Sequence, residues 1–419
     1  MVSEVKTVRV PQLAWYGEGE LELQFPSSWD ISTCYMRGHD SPRLSDNEMR
    51  NAFRHPLDSQ PIKKLAHRSA EVAIIFDDMT RPTPVAQILP YVLEELNEAG
   101  VSDDHIRFIA ALGAHGALNG IDFRKKLGET IGERFLVYNH NPYENCTFVG
   151  NTNRGTPVSI NSEVMSCDIK IGIGCIVPHP LTGFGGGGKI MQPGVASIDT
   201  IKANHGLLMG KARESNEGSK IGLGLFEDNV LRLDIAEAAR MAGLDIKIDV
   251  ILNSRRDIAA MFVGEVMAVH AEGVNVAKEF YATERIDGAD IVVSNAYAKA
   301  NEALLAVPIG AGLLSEGGGD LVVIAHTPEG QVTHYLMRSF GKNLGGHMWR
   351  PRSHLPRGVN RLIVLSPYID KAGADWIGPP ERIIWAKTWN EVLEQLKAAH
   401  RGRPRVAVIP DATVQYFPA

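Results

Sequence analysis

From about Glu71 the sequence alternates short apolar runs with glycine-bearing or polar turns and longer stretches of helical periodicity, a pattern that limits the fold to parallel α/β construction. Residues 72–76 read as the first buried strand. The run breaks at Asp77-Asp78-Met79-Thr80-Arg81-Pro82-Thr83-Pro84, where Thr83 is placed to cap a helix that starts at Pro84 and runs to about Gly100. A second unit follows: a strand over 106–112, the exit loop Gly113-Ala114-His115-Gly116, and a helix over 122–127. A third strand, 169–173, leads into Pro178-His179-Pro180 and a run of glycines. Three polar constellations thus follow three buried strands, the position where open α/β sheets hold their ligands.

Further along, 230–241 reads as an amphipathic helix, 246–252 as a strand and 266–280 as a long helix. Strands over 291–293, 321–325 and 362–365 and a closing helix over 389–400 describe a second α/β domain. At 419 residues the chain is long enough for two. The expected division is a catalytic, cofactor-binding domain over 1–284, a C-terminal α/β domain over 285–404, and a strand and tail over 405–419 that can return to the first domain. Both sheets are expected to be mainly parallel, with the active site in the cleft between the domains. A net charge of -6 with scattered Lys and Arg gives no basic stripe, so no nucleic-acid partner is expected. Cys34, Cys146, Cys167 and Cys175 form no Cys-x-x-Cys pair, which argues against a disulfide framework or a structural zinc site. No apolar run reaches membrane-spanning length and no leader pattern opens the sequence, so the expected location is cytoplasmic, with no membrane partner.

Pro178-His179-Pro180-Leu181-Thr182-Gly183-Phe184 followed by Gly185, Gly186, Gly187, Gly188 and Lys189 is the most informative stretch. Consecutive glycines let a backbone approach a ligand closely and turn N–H groups toward a phosphate. Gly183 to Lys189 also fits the Gly-x4-Gly-Lys part of a nucleotide-binding P-loop, but Ile190 stands where that motif needs a hydroxyl, and Pro193 interrupts the helix. A surface loop with an incidental lysine is the bland alternative. The prolines on either side of His179 weigh against it, since they fix the backbone as an aimed imidazole requires. His39, His55, His67, His105, His140, His270 and His400 read as solvated or core histidines.

In order and spacing these segments resemble the lactate racemase family. Its catalytic domain has Asp-x-Thr-Arg, here Asp78 to Arg81; Gly-x-His, here Gly113 to His115; Pro-His-Pro; a glycine loop ending in lysine; and a later histidine, here His205. The resemblance implies a nickel-pincer nucleotide, nickel(II) pyridinium-3,5-bisthiocarboxylic acid mononucleotide, joined covalently to Lys189, with His205 as the protein ligand to nickel. Imidazole suits that metal. It implies loading by cofactor-biosynthesis proteins, a small 2-hydroxy acid as substrate, and inversion at C2 by hydride transfer. His115 and His179 match the family's pair of bases, and histidine titrates in the range such work needs. Arg81 offers a planar, permanently charged fork for the substrate carboxylate, with Asp78 orienting it or a histidine. Asp78, Arg81 and Gly185 to Gly188 are counted with the cofactor site.

One departure stands out. Lactate racemases carry a Tyr-Gln-x-x-Lys cluster in the second domain, and the matching register here holds Ala303, Leu304 and Val307. Lys299, Asn301 and Glu302 lie nearby but off register. Lys299 is taken as a substrate contact, and His334-Tyr335-x2-Arg338 and His347-x-Trp349-Arg350 as possible substitutes. The expected substrate is therefore a 2-hydroxy acid other than lactate. A P-loop-like nucleotide enzyme and a non-catalytic cofactor-binding homologue are the competing classes.

Overall fold

The computed structural model describes residues 5–337 and 354–418; Arg338, His347, Trp349 and Arg350 lie outside them. The chain divides into two compact units, each with a six-stranded sheet of mainly parallel strands.

The unit of interest comprises Asp40–Glu279 and the segment from Thr333. Its strand order is Ile258–Gly264, Ile246–Leu252, Ile169–Cys175, Val72–Asp77, Ile106–Ala111, Leu136–Asn139. All pairings are parallel except that of the first strand, which runs antiparallel along the edge. Val72–Asp77 and Ile169–Cys175 are buried at every position. Such apolar runs are stable only with both faces covered, which is why they form the middle of the sheet. Order reverses beside Val72–Asp77: the next strand in sequence pairs on one side and Ile169–Cys175 on the other. This switch point aligns the ends of the three strands that precede the polar constellations. Ile75, Ile109, Val158, Ile160, Met191 and Val195 fill one core against the sheet.

Thr83 does not cap a helix. Its hydroxyl donates to the Asp77 carboxylate, and the helix Val85–Glu98, with Pro84 at its N-cap, starts without a side-chain cap.

The other unit comprises the described residues of Met1–His39, Phe280–Val332 and Arg350–Ala419. Its strand order is Ile383–Ala386, Val359–Leu365, Gly319–Ile324, Ile291–Asn295, Arg405–Ile409, Asp30–Thr33, all parallel. Two expectations change here. The boundary falls at Phe280, not 285, and Arg405–Ile409 does not return to the first domain. It sits between Ile291–Asn295 and Asp30–Thr33, and the last pairing draws the N-terminal residues into this unit. Local pattern could not show this, since a strand's partners are set by register over hundreds of residues. Among the described residues no helix is long and apolar enough to cross a membrane, and the four cysteines are free.

Candidate active site

The loop leaving Val72–Asp77 is tied to itself. Asp78 Oδ1 accepts the Thr80 N–H at 2.9 Å and the Thr80 hydroxyl at 2.5 Å, an Asx-type turn that fixes the carboxylate. Arg81 Nη1 donates to the Thr80 carbonyl at 3.0 Å and to its hydroxyl at 2.8 Å. From beneath, fully buried Lys126 pairs with Asp77 at 2.7 Å and donates to the carbonyls of Asp78 at 3.0 Å and Arg81 at 2.9 Å. Burial pushes the Asp77 carboxyl up, and the Lys126 ammonium opposes it.

Asp78 Oδ2 lies 2.5 Å from His115 Nδ1. Burial would raise the Asp78 carboxyl, but the His115 ring and Arg81 hold it well below the usual carboxylate range. An ionised carboxylate only accepts, so Nδ1 carries a proton, and in the neutral tautomer the lone pair is on Nε2. Asp78 is 4% exposed, so its carboxylate is held inside the protein.

His179 is mounted differently. Pro178–His179 pairs with Gly183–Phe184 in a tight antiparallel hairpin. In its turn the N–H groups of Leu181 and Thr182 both donate to His179 Nδ1 at 3.2 Å. The Thr182 hydroxyl is 3.1 Å from the same nitrogen and 2.9 Å from the Phe184 carbonyl. Two amides aimed at Nδ1 place the proton of the neutral ring on Nε2.

The glycine loop corrects an expectation. Gly185 N–H donates to the Val177 carbonyl at 2.7 Å, and Gly187 N–H to Asp249 Oδ2 at 2.7 Å. Those two amides are therefore committed within the protein and do not form a phosphate cradle. Asp249 pairs with Lys247 at 2.7 Å, both without exposure, and His270 Nε2 donates to the Gly185 carbonyl at 3.0 Å. Gly187 has φ +54°, and a Cβ there would fall 2.3 Å from the His270 ring; at Gly186, φ +81°, it would fall 2.9 Å from the Asp249 carboxylate. Packing against the protein's own side chains is thus enough to require glycine at both positions. Burial lowers His270 to about 4, so the ring is neutral at neutral pH, with Nε2 carrying the proton it donates.

Lys189, half-buried, lies in the short 3-10 turn Gly187–Ile190. That turn has no following helix to hold a phosphate, against the P-loop reading. His205 lies on a π-helical stretch, Lys202–Leu208, a rare geometry that recurs at functional sites. The preceding residue fixes it: Asn204 Nδ2 donates at 2.7 Å to Asp234, which also accepts from Thr152 and Thr156. His205 is 8% exposed, and its Nδ1 has no hydrogen-bond partner. Burial first, then the nearby charges of Lys189 and His334, keep its imidazole neutral well below the ordinary histidine range. Neutral imidazole is the form that ligates a metal. Among the described residues no group of three or more His, Cys, Asp or Glu could hold a metal ion, so a metal at His205 would need donors beyond the described residues.

A model of the lactate racemase N-terminal domain matches residues 16–217. Over 396 residues the sequence is 29% identical to the lactate racemase of Lactiplantibacillus plantarum, covering 88% of this chain and 90% of that one. The sequence is thus similar to those of lactate racemases. A second relative, the lactate racemase of Thermoanaerobacterium thermosaccharolyticum, is 29% identical over 284 residues, 67% of this chain and 65% of its own length. The solved apoprotein named lactate racemase from that organism shares the fold with a TM-score of 0.73 at 20% identity, covering 99% of this chain and 100% of that one. A Thermotoga maritima protein does so at 0.66 and 16%, covering 90% and 99%.

The structure joins Asp78 to His115 directly, and Arg81 to Asp78 and Lys189 to His205 electrostatically. It does not leave Lys299 as an open cation. A kinked segment turns that side chain inward to 1% exposure, where it pairs with Glu302 at 2.8 Å. The sequence reading missed Lys126, Asp234, Lys247 and Asp249, and set His270 aside as a core histidine. A lysine or aspartate in an otherwise apolar strand or helix face was the available signal, because a buried charge needs a partner.

Proposed function

We propose that the chain is a racemase or epimerase that inverts C2 of a 2-hydroxy acid, working with a nickel-pincer nucleotide tethered at Lys189. The observation that carries this reading is the Asp78–His115 pair beside Arg81, in the same unit as Lys189 and the buried, neutral His205. The residues fit the group: Lys189 is a half-buried amine near His205, and the His205 Nδ1 lacks a partner. When bound, the group supplies a site that accepts and returns a hydride.

The protein's own part follows from its hydrogen bonds. Arg81, with Nη1 fixed on Thr80, binds the substrate carboxylate. His115 Nε2 takes the hydroxyl proton, and the Asp78 carboxylate stabilises the imidazolium that results. His179 serves the opposite enantiomer. At rest its Nε2–H donates a hydrogen bond to the substrate oxygen; to act as a base, the ring must first move its proton to Nδ1 against two amides. A substrate other than lactate is favoured by Ala303, Leu304 and Val307, which offer no polar group at the register expected to hold one.

The test is expression in a host that makes the cofactor, intact mass and nickel analysis, then single-enantiomer 2-hydroxy acids followed by chiral chromatography. The expected result is an adduct on the 45.8 kDa chain and conversion of at least one acid, with lactate not the best. Loaded protein that inverts none of them defeats the proposal.

A further inference from the structure

The residue that caps the helix Val230–Met241 also reaches the hairpin that carries His179. Asn229 is 1% exposed. Its Oδ1 accepts the N–H groups of Leu231 at 3.1 Å and Arg232 at 3.2 Å, which is the ordinary work of an N-cap. Its Nδ2 donates to the carbonyls of Leu181 at 2.8 Å and Leu225 at 3.0 Å, which capping does not require. Leu225 in turn lies against the hairpin: a Cβ at Gly183, φ +76°, would fall 2.2 Å from its carbonyl oxygen, and the Gly224 N–H donates to the Gly183 carbonyl at 3.0 Å. The Leu181 carbonyl belongs to the peptide unit whose other end is the Thr182 N–H, one of the two amides that meet His179 Nδ1.

Resting on the racemase reading of this site, we infer that Asn229 is a positioning residue for His179, holding the Leu181–Thr182 peptide so that its N–H keeps the neutral ring in the Nε2–H tautomer. A peptide unit is planar, so fixing its carbonyl fixes the direction of its N–H. A hydrogen bond accepted by that carbonyl also polarises the unit and makes its N–H a stronger donor. The anchor itself is firm. Asn229 is buried, its own carbonyl accepts the Leu233 N–H at 3.0 Å, and the helix it starts buries Leu231, Ile235, Ala238 and Ala239. Leu181 packs beside Met209, Val230 and Leu231, which keeps the turn of the hairpin against the helix start. Without the Asn229 donor the Leu181–Thr182 peptide loses its hold on the helix, and its N–H its aim at Nδ1. The Nδ1–H tautomer then becomes accessible, and the ring no longer presents a fixed Nε2–H to the substrate oxygen.

The experiment records nitrogen-15 histidine spectra of the cofactor-free protein at neutral pH, with His179→Gln to assign the His179 signals. Wild type is compared with Asn229→Asp, whose carboxylate keeps the cap but cannot donate, and with Asn229→Ser, which caps with a shorter side chain. Wild-type His179 should carry its proton on Nε2. In both variants a share of the Nδ1–H form should appear, larger for Asp, while the His115 signals stay as they are. With cofactor-loaded enzyme and an acid of one stereocentre, kcat/KM should fall about three- to tenfold, through KM for the enantiomer that His179 faces. A folded Asp variant with unchanged His179 signals would show that Asn229 is a helix cap alone, and equal disturbance of His115 and His179 would show a general loosening; either overturns the inference. Wild-type His179 with its proton on Nδ1 overturns it without any variant. Wild type inactive on every 2-hydroxy acid would instead count against the racemase reading, and the spectra would still decide the link between Asn229 and His179.

Discussion

His115 and His179 leave the two strands that flank Val72–Asp77, and the protein anchors each through Nδ1 but to partners of opposite polarity. A buried carboxylate holds His115, so its proton stays on Nδ1 and a positive ring is stabilised. Two amides hold His179, so its proton stays on Nε2 and a positive ring is opposed. Residue type alone makes them a matched pair; their anchors give the neutral rings opposite tautomers, with the lone pair on Nε2 in one and an N–H on Nε2 in the other. The general lesson is that a histidine's role is set by what the other ring nitrogen meets.

The largest expected effects separate loading from this acid–base contrast. Lys189→Ala should abolish the mass adduct, and His205→Ala should strip nickel, whereas His115→Ala and His179→Ala should keep both and lose inversion. An unchanged adduct in the Lys189 variant would remove the premise on which the comparison stands.

Next comes the His115 anchor itself. Asp78→Asn can donate through its amide and push the His115 proton to Nε2, making this mount resemble that of His179. Turnover should drop by about 10²–10⁴-fold with the adduct intact, and nitrogen-15 spectra should show the changed tautomer. A variant that keeps both its rate and its tautomer would break the comparison.

His270 supplies a third mount, through Nε2 to a carbonyl, and its effect is on stability. Its folded value of about 4 lies below the ordinary histidine value of about 6.5, so the unfolded chain protonates first as pH falls. The neutral ring's contribution is complete above pH 6.5 and declines by up to about 3 kcal/mol toward pH 4, an order-of-magnitude figure. Since His140 and His326 are also lowered to about 4 by burial, the measurement is a difference. His270→Gln, unfolded by urea at pH 7 and pH 5, should lose less stability between the two than wild type; an equal loss would exclude this histidine.

The smallest effect tests the His179 turn. Thr182→Val removes one neutral hydrogen bond, about 0.5–1.5 kcal/mol, and should change kcat by no more than about tenfold. For a substrate with one stereocentre the equilibrium constant is unity. The two directions must then keep equal kcat/KM while their kcat values diverge. A loss beyond a hundredfold would show that the hydroxyl, not the amides, sets the ring.

Much of this was legible in the sequence. The strands at 72, 106, 169 and 246 and the helices at 230 and 266 announce themselves because buried apolar runs and helical periodicity are local. Asp78, Arg81, His115, His179, Lys189 and His205 were likewise found in short motifs. The glycine loop was read for the wrong reason, since the atoms that require glycine belong to side chains of the protein itself, among them Asp249 and His270, more than sixty residues away.

By itself the sequence determined the α/β class, the order of the strands along the chain and the residue types that can do acid–base and metal chemistry, all consequences of neighbours in sequence. Tertiary structure alone decided which nitrogen of each histidine carries the proton, that Lys299 is buried against Glu302, and that Arg405–Ile409 pairs beside Asp30–Thr33. It also decided that His334 lies on His115. These depend on donors, acceptors and strand edges brought together across long stretches of chain, and only folding fixes their distances.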